Sequence, residues 1–262
     1  MMSLFKKLFC LLLIVGCASL GGNYKEVAKE DFHLYLLIGQ SNMAGRGAIE
    51  AIDTLVHPRV FALDSLMRWK PAKDPLHFDK SIAGTGLGLT FGKTMAAANP
   101  RAKIGLIPCA KGGSSINQWF RDSLHKQTNS YPYNEMVVRT KTAMKTGTLK
   151  GILWHQGESD SESRKAIDGY SSKFNAMIDS LQKDLGIVDV PIIIGELGHF
   201  RYASKPLSKR LNHVFAEIAN SSRRIRLATG EGLGHKGDGT HFDSKSLRTF
   251  GERYANELQK IK

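Results

Sequence analysis

Ser41, Asp238 and His241 are the side-chain types of a hydrolytic relay, and the last two stand three apart in the run Asp238-Gly239-Thr240-His241. Residues at that spacing across a turn come within side-chain reach. Asp238 can therefore accept from one imidazole nitrogen while the other faces a serine. The competing use of Asp238 is to cap a helix expected from about Ser244. Ser41 follows an apolar run, Leu34 to Ile38, in the segment Gly39-Gln40-Ser41-Asn42. A serine between a buried strand and a helix start has its hydroxyl at the sheet rim and its own N–H turned outward, with the helix dipole behind it. That setting suits a nucleophile whose attack creates an oxyanion, although it also suits a plain helix N-cap. Gly112-Gly113 lets backbone approach a ligand closely, and Gln156 ends another apolar run. The Ser41 N–H, the Gly113 N–H and the Gln156 side-chain amide are thus candidates for a three-donor oxyanion hole, the competing uses being a plain turn at Gly112-Gly113 and a loop hydrogen bond for Gln156.

These residues need elements to carry them. Apolar, β-rich runs at Leu34 to Ile38, Ile104 to Pro108, Gly151 to His155, Ile192 to Gly195 and Ile225 to Ala228 read as strands. Amphipathic stretches near Leu89 to Ala98, Asn134 to Thr146, Ala166 to Leu185, Leu207 to Ala219 and Ser244 to Ile261 read as the helices between and after them. Continuous apolar strands separated by helices predict an α/β fold, a five-stranded parallel sheet covered on both faces, with ligands beyond the carboxyl ends of its strands. The polar segments at Gly39, Lys111, His155 and Asp238 all fall after strands, so they are expected to converge on one edge of the sheet.

At 262 residues, with 42% hydrophobic and 23% charged residues, the composition is that of a globular domain, which excludes disorder and a collagen-like or disulfide-built scaffold. Lys6 and Lys7 precede a short apolar run, Leu8 to Val15, that ends in small residues and reads as a secretory signal. Ile14-Val15-Gly16-Cys17 resembles a bacterial lipobox. The expected organisation is therefore a lipoprotein signal peptide over 1–16, a tether over 17–30 beginning at an acylated Cys17, and one catalytic domain over 31–262. The protein is expected to be exported as a cell-envelope lipoprotein, periplasmic or associated with the outer membrane, and to meet the membrane through that lipid. With Cys10 removed and Cys17 acylated, Cys109 stands alone and no intramolecular disulfide forms. A formal charge of +13 raises the question of nucleic acid. The basic residues are scattered, without interleaved aromatic stacking platforms, so no nucleic-acid partner is expected. No histidine stands in an H-E-x-x-H or Cys/His pattern, so neither metal nor cofactor is expected. Gly92-Lys93-Thr94 looks like the end of a P-loop, but the opening glycine of that motif falls on Leu87 and no nucleotide site follows.

Five blocks occur in order: GQSNMAG from Gly39, KGGSSINQW from Lys111, WHQGESD from Trp154, GELG from Gly195 and DGTHF from Asp238. As a set they resemble the SGNH/GDSL hydrolases, and more closely carbohydrate esterase family six and the related sialate O-acetylesterase domain. The resemblance covers residues 39 to 242. It implies a flavodoxin-like three-layer αβα sandwich, Ser41 as nucleophile, His241 as base, and Gly113 and Gln156 as oxyanion donors. It offers two acids, Asp238 and Glu158. Asp238 is preferred because a base and its orienter on one short loop need no tertiary coincidence to meet. Glu158 is left to orient His241 from the other side or to make a structural contact below the pocket. Gln40, Asn42 and Trp119 are expected to contact substrate, the indole by stacking on a pyranose ring if it is exposed, with core packing an equal use for a Trp at this position. The implied reaction is hydrolysis of acetyl esters on a carbohydrate, of the acetylxylan or O-acetyl sialate type. The competing readings are a non-catalytic glycan-binding lipoprotein on an esterase fold and a short-chain lipid or thioester hydrolase.

Overall fold

A computed structural model describes residues 28–261. The expected leader, the Cys17 anchor and most of the expected tether lie outside the described residues.

The first strand, β1 (Phe32–Gly39), is apolar at nearly every position because both of its faces are covered. Leu34, Leu36 and Ile38 pack into one core with α4 (Pro132–Ala143), α6 (Tyr170–Leu185) and α7 (Leu207–Asn220). Tyr35 and Leu37 point the other way, into a second core with α3 (Leu87–Ala98) and α8 (Ser244–Gln259). The alternation of side chains along one strand thus produces the three layers of the αβα sandwich.

All five expected strands are present: β1, β4 (Lys103–Pro108), β5 (Thr148–His155), β6 (Ile192–Gly195) and β7 (Ile225–Ala228). The sheet nevertheless has seven strands rather than five. Its order is β3-β2-β4-β1-β5-β6-β7, with β2 (Val60–Leu63) and β3 (Trp69–Pro71) added at one edge. Every pairing is parallel except that of β2 with β3. These two strands are too short to show a period, and Pro71, which has no N–H to donate, is tolerated only because β3 is an edge strand. The expected helix over 166–185 is interrupted: α5 (Arg164–Asp168) stops before Gly169, and α6 begins after it. Glycine is costly inside a helix, and here it marks the junction of two. Two single-turn helices complete the set, α1 (Ser41–Ala44) and α2 (Ala51–Thr54).

The strand order places the site. β4, β1 and β5 are neighbours in the middle of the sheet, so the segments after them, which begin at Cys109, Gln40 and Gln156, emerge side by side. β1 ends at Gly39, whose φ of +136° is a conformation that side chains rarely allow; a Cβ there would lie 2.0 Å from the His155 carbonyl oxygen. That glycine lets β1 and β5 run together to their ends, and Ser41 turns out of the sheet immediately afterwards.

Candidate active site

Ser41 is the first residue of α1 and His241 comes from the loop before α8, 200 positions away. His241 Nε2 lies 3.0 Å from Ser41 Oγ, and His241 Nδ1 lies 2.7 Å from Asp238 Oδ2. The second Asp238 oxygen accepts the backbone N–H groups of Thr240 at 2.9 Å and His241 at 2.8 Å. Partial burial opposes the charge on Asp238, but the His241 amide, the imidazole and the Thr240 amide outweigh it and hold the carboxyl down at about 2. The cap of α8 is Asp243, whose side chain accepts from Ser246 N–H at 2.7 Å, so Asp238 is not used for that purpose.

Glu158 does not take the orienting position. Its carboxylate accepts a hydrogen bond from Asn42 Nδ2, and His155 Nε2 lies 3.5 Å from the same oxygen. Burial works against its ionisation, but His155, Arg201 and Asn42 prevail and lower its pKa below the ordinary carboxylate value. Asn42 in turn donates to the Thr240 carbonyl at 3.1 Å and accepts the Phe242 N–H at 3.1 Å. The structural contact expected of Glu158 is thus present, although Glu158 borders the pocket rather than lying below it. It also corrects the expectation for Asn42, which is buried and spends its amide on Glu158 and on the backbone at Thr240 and Phe242 rather than on substrate.

Two further expectations are corrected. Gln156 is completely buried, and its side-chain nitrogen is surrounded by acceptors: Asp160 Oδ2 at 2.6 Å, the Ser114 carbonyl at 3.0 Å and Gln40 Oε1 at 3.1 Å. Its side-chain oxygen accepts from the Tyr170 hydroxyl at 2.7 Å. An amide saturated in this way has no N–H left for an oxyanion. Trp119 is likewise fully buried, packs edge-on against Trp154 with ring centroids 5.4 Å apart, and donates to Ser114 Oγ at 3.0 Å. It is core, and no sugar reaches it.

The Gln156 network decides the orientation of a different amide. Gln40 Oε1 faces three donors, Gln156 Nε2 at 3.1 Å and the N–H groups of Gly157 and Ser159, each at 3.3 Å. The other end of that amide is consequently its nitrogen, which has no protein acceptor among the described residues. Gln40, Ser41, Gly113 and His241 border one cavity of about 450 Å³. The Ser41 N–H, at the start of a helix, and the Gly113 N–H also lack protein acceptors among the described residues. Three unspent donors thus belong to residues at the cavity that holds the serine and the imidazole. Among the described residues, no group of three or more His, Cys, Asp and Glu side chains is placed to hold a metal ion.

Residues 31–260 match the model of a family described as carbohydrate esterase, sialic acid-specific acetylesterase. The chain belongs to this family. A protein of Arabidopsis thaliana described as "Probable carbohydrate esterase At4g34215" is 33% identical over 180 residues, which are 61% of this chain and 66% of that one, just under two thirds of its length. The crystal structure of the Arabidopsis At4g34215 protein superimposes with a TM-score of 0.77 at 27% identity, over 88% of this chain and all of that one. NanS superimposes at 0.71 with 17% identity, over 89% of this chain and 98% of its own. XAC1771, a carbohydrate acetylesterase from Xanthomonas citri, does so at 0.69 with 20% identity, over 87% of this chain and 56% of its own. The last two likenesses show the αβα fold alone.

Several residues that border the cavity or brace it were not found from sequence, among them Arg46, Asp79, Ser159 and Arg201. Arg46 and Arg201 are buried arginines, and only the fold reveals that a residue type usually found on the surface lies inside.

Proposed function

We propose that the protein is a serine esterase that removes acetyl groups from carbohydrate hydroxyls. The observation that carries the reading is the alignment of Ser41 Oγ, the two His241 nitrogens and Asp238 Oδ2 in one chain of hydrogen bonds. Ser41 Oγ attacks the acetyl carbonyl carbon as His241 Nε2 takes its proton. The Asp238 carboxylate accepts from Nδ1–H and stabilises the imidazolium that results. Negative charge gathers on the carbonyl oxygen, where the N–H groups of Ser41 and Gly113 and the Gln40 amide nitrogen serve as donors. The tetrahedral intermediate collapses with cleavage of the bond to the sugar oxygen, and His241 returns the proton to that oxygen. A water molecule then attacks the acetyl-serine, again giving its proton to His241; acetate departs and Ser41 recovers its hydroxyl.

A hydrophilic substrate is favoured by the cavity wall. Arg46, Lys80, Arg201, Lys205 and Glu162 border it; among the described residues Ile82 is its one large aliphatic neighbour and no Phe, Tyr or Trp lines it. A long acyl chain would find little apolar surface there, which weighs against the lipid and thioester reading. Acetate release from acetylated xylan, an O-acetyl sialoside and 4-nitrophenyl acetate, with Ser41→Ala as control, tests the proposal. Acetate from at least one saccharide, abolished in the variant, is the expected result. Binding of those glycans with no turnover would leave the non-catalytic reading in its place. Export with a lipid anchor at Cys17 belongs to the same proposal, motivated by Ile14-Val15-Gly16-Cys17. Cys17→Ser should move the full-length protein from the membrane fraction to the soluble one.

A further inference from the structure

Asp79 lies in the long connection between β3 and α3, a stretch without regular strand or helix, yet its side chain is completely withdrawn from water. One of its oxygens, Oδ2, accepts two hydrogen bonds: from Arg46 Nη2 at 2.7 Å and from the Gly112 N–H at 2.8 Å. The Arg46 side chain is only 2% exposed, and its other terminal nitrogen donates to the Gly45 carbonyl at 2.7 Å. The connection is also stitched to the segment behind the nucleophile by Gly84 N–H to the Gly45 carbonyl and by a two-bond bridge between Gly47 and Thr85. A single carboxylate oxygen therefore joins three segments: the run that follows Ser41, the connection after β3, and the Lys111-Gly112-Gly113 loop.

The join is close. A Cβ on Gly112 would lie 2.3 Å from Arg46 Nη2 and 2.8 Å from Asp79 Oδ2, so the loop backbone rests directly on the ion pair. Gly112 spends its N–H inward on Asp79, whereas the next N–H, that of Gly113, has no protein acceptor among the described residues and belongs to the cavity wall. Two successive peptide groups thus have different tasks, one anchoring and one offered to a ligand. A charged carboxylate acceptor binds an N–H more strongly than a neutral carbonyl does, and the pair is shielded from solvent competition. A buried ion pair is a weak source of net stability, so its consequence here lies in geometry.

We propose that Asp79 is a positioning residue for the oxyanion hole: by holding Arg46 and the Gly112 N–H on one oxygen, it fixes the Gly113 N–H at the cavity that contains Ser41. This inference rests on the serine esterase reading above. Placement of an oxyanion donor affects the transition state more than bound substrate, so the effect belongs to kcat.

The test uses full-length wild type, Asp79→Ala, Asp79→Asn and Ser41→Ala, with kcat and KM for 4-nitrophenyl acetate and the thermal midpoint of each. Asp79→Ala is expected to lower kcat by about 10- to 100-fold with KM changed by less than about threefold. Sodium formate should restore several-fold of the lost kcat in that variant and do nothing for wild type, since a formate ion fits beside Arg46 and can accept from Gly112 N–H. A general loss of folding would not respond to formate. If Asp79→Ala does not fold, Asp79→Asn, which keeps the shape and one acceptor, should still lose about tenfold in kcat at unchanged KM. An Asp79 variant with kcat within about threefold of wild type overturns the inference, as does a loss in Asp79→Ala that formate leaves untouched. Absence of Ser41-dependent hydrolysis in wild type overturns the esterase reading and this inference with it, whereas an active wild type with unimpaired Asp79 variants overturns the inference alone.

Discussion

Glu158 accepts a hydrogen bond from Asn42, and Asn42 holds both the Thr240 carbonyl and the Phe242 N–H that flank His241. The buried carboxylate therefore acts on the catalytic loop at one remove, through its backbone, while Asp238 touches the imidazole itself.

The two carboxylates should separate on mutation. Asp238→Asn removes the charge beside the imidazolium and leaves Nδ1–H without an anionic acceptor, so kcat is expected to fall by roughly 10²-fold or more. Glu158→Gln retains an oxygen that accepts from Asn42 and should cost about tenfold or less. Steady-state kinetics of the two variants decides the matter, and equal or reversed losses would transfer the orienting role to Glu158.

Asp238 should add no acid limb of its own to activity. A carboxyl whose folded-state pKa is depressed to about 2 stays anionic throughout the range in which an esterase is assayed. A loss of kcat/KM centred in the ordinary carboxylate range, about pH 4, and absent from Asp238→Asn, would show that the carboxyl is not held down and would remove it from contact with His241.

Gln40→Ala should lower kcat by roughly 10²-fold with little change in KM, because the unspent amide nitrogen is offered to charge that develops only in the transition state. An increase confined to KM would make Gln40 a substrate-binding residue instead. Gln156→Ala should also reduce kcat, and both variants should lower the thermal midpoint, since Gln40 and Gln156 are each buried and each substitution strands the partners of the lost side chain.

Asp74 supplies a stability test away from the chemistry. Burial, assisted by nearby Asp53 and only partly offset by the Gly86 N–H, raises its carboxyl to about 8. Its Oδ1 has no hydrogen-bond partner among the described residues. The folded state keeps this proton while the unfolded chain, with an ordinary carboxyl near 3.8, has released it. The contribution of Asp74 to stability is thus fully present below about pH 4 and is lost as pH rises towards 8. Asp74→Asn should remove that loss, raising the thermal midpoint at pH 8 relative to wild type more than at pH 5. Equal shifts at the two pH values would show that Asp74 ionises normally.

What could be read from the chain alone follows from interactions that are local or periodic. Leu34 to Ile38 and the other apolar runs announce buried strands because a parallel strand covered on both faces leaves no room for polar alternation. Asp238 and His241 announce each other because a turn brings residues three apart together wherever the loop lies. The place of Ser41 between a strand and a helix suits a nucleophile and a helix N-cap alike, and the block GQSNMAG around it is what favours the first. The partners of an amide or an indole, by contrast, are set by residues distant in the chain. Gln156 looked like an oxyanion donor until Tyr170, Asp160 and the Ser114 carbonyl were seen to occupy both ends of it, and that occupation turns the neighbouring Gln40 nitrogen free. Trp119 looked available until it packed on Trp154. Arg46 and Asp79 carried no signal, since a charged residue reads as surface unless the fold buries it beside its counter-ion. Residue type and spacing determined which groups are candidates for the chemistry; only tertiary packing decided which of their hydrogen-bonding atoms remained unspent, because each donor and acceptor saturates and the partner that saturates it first is a matter of three-dimensional proximity.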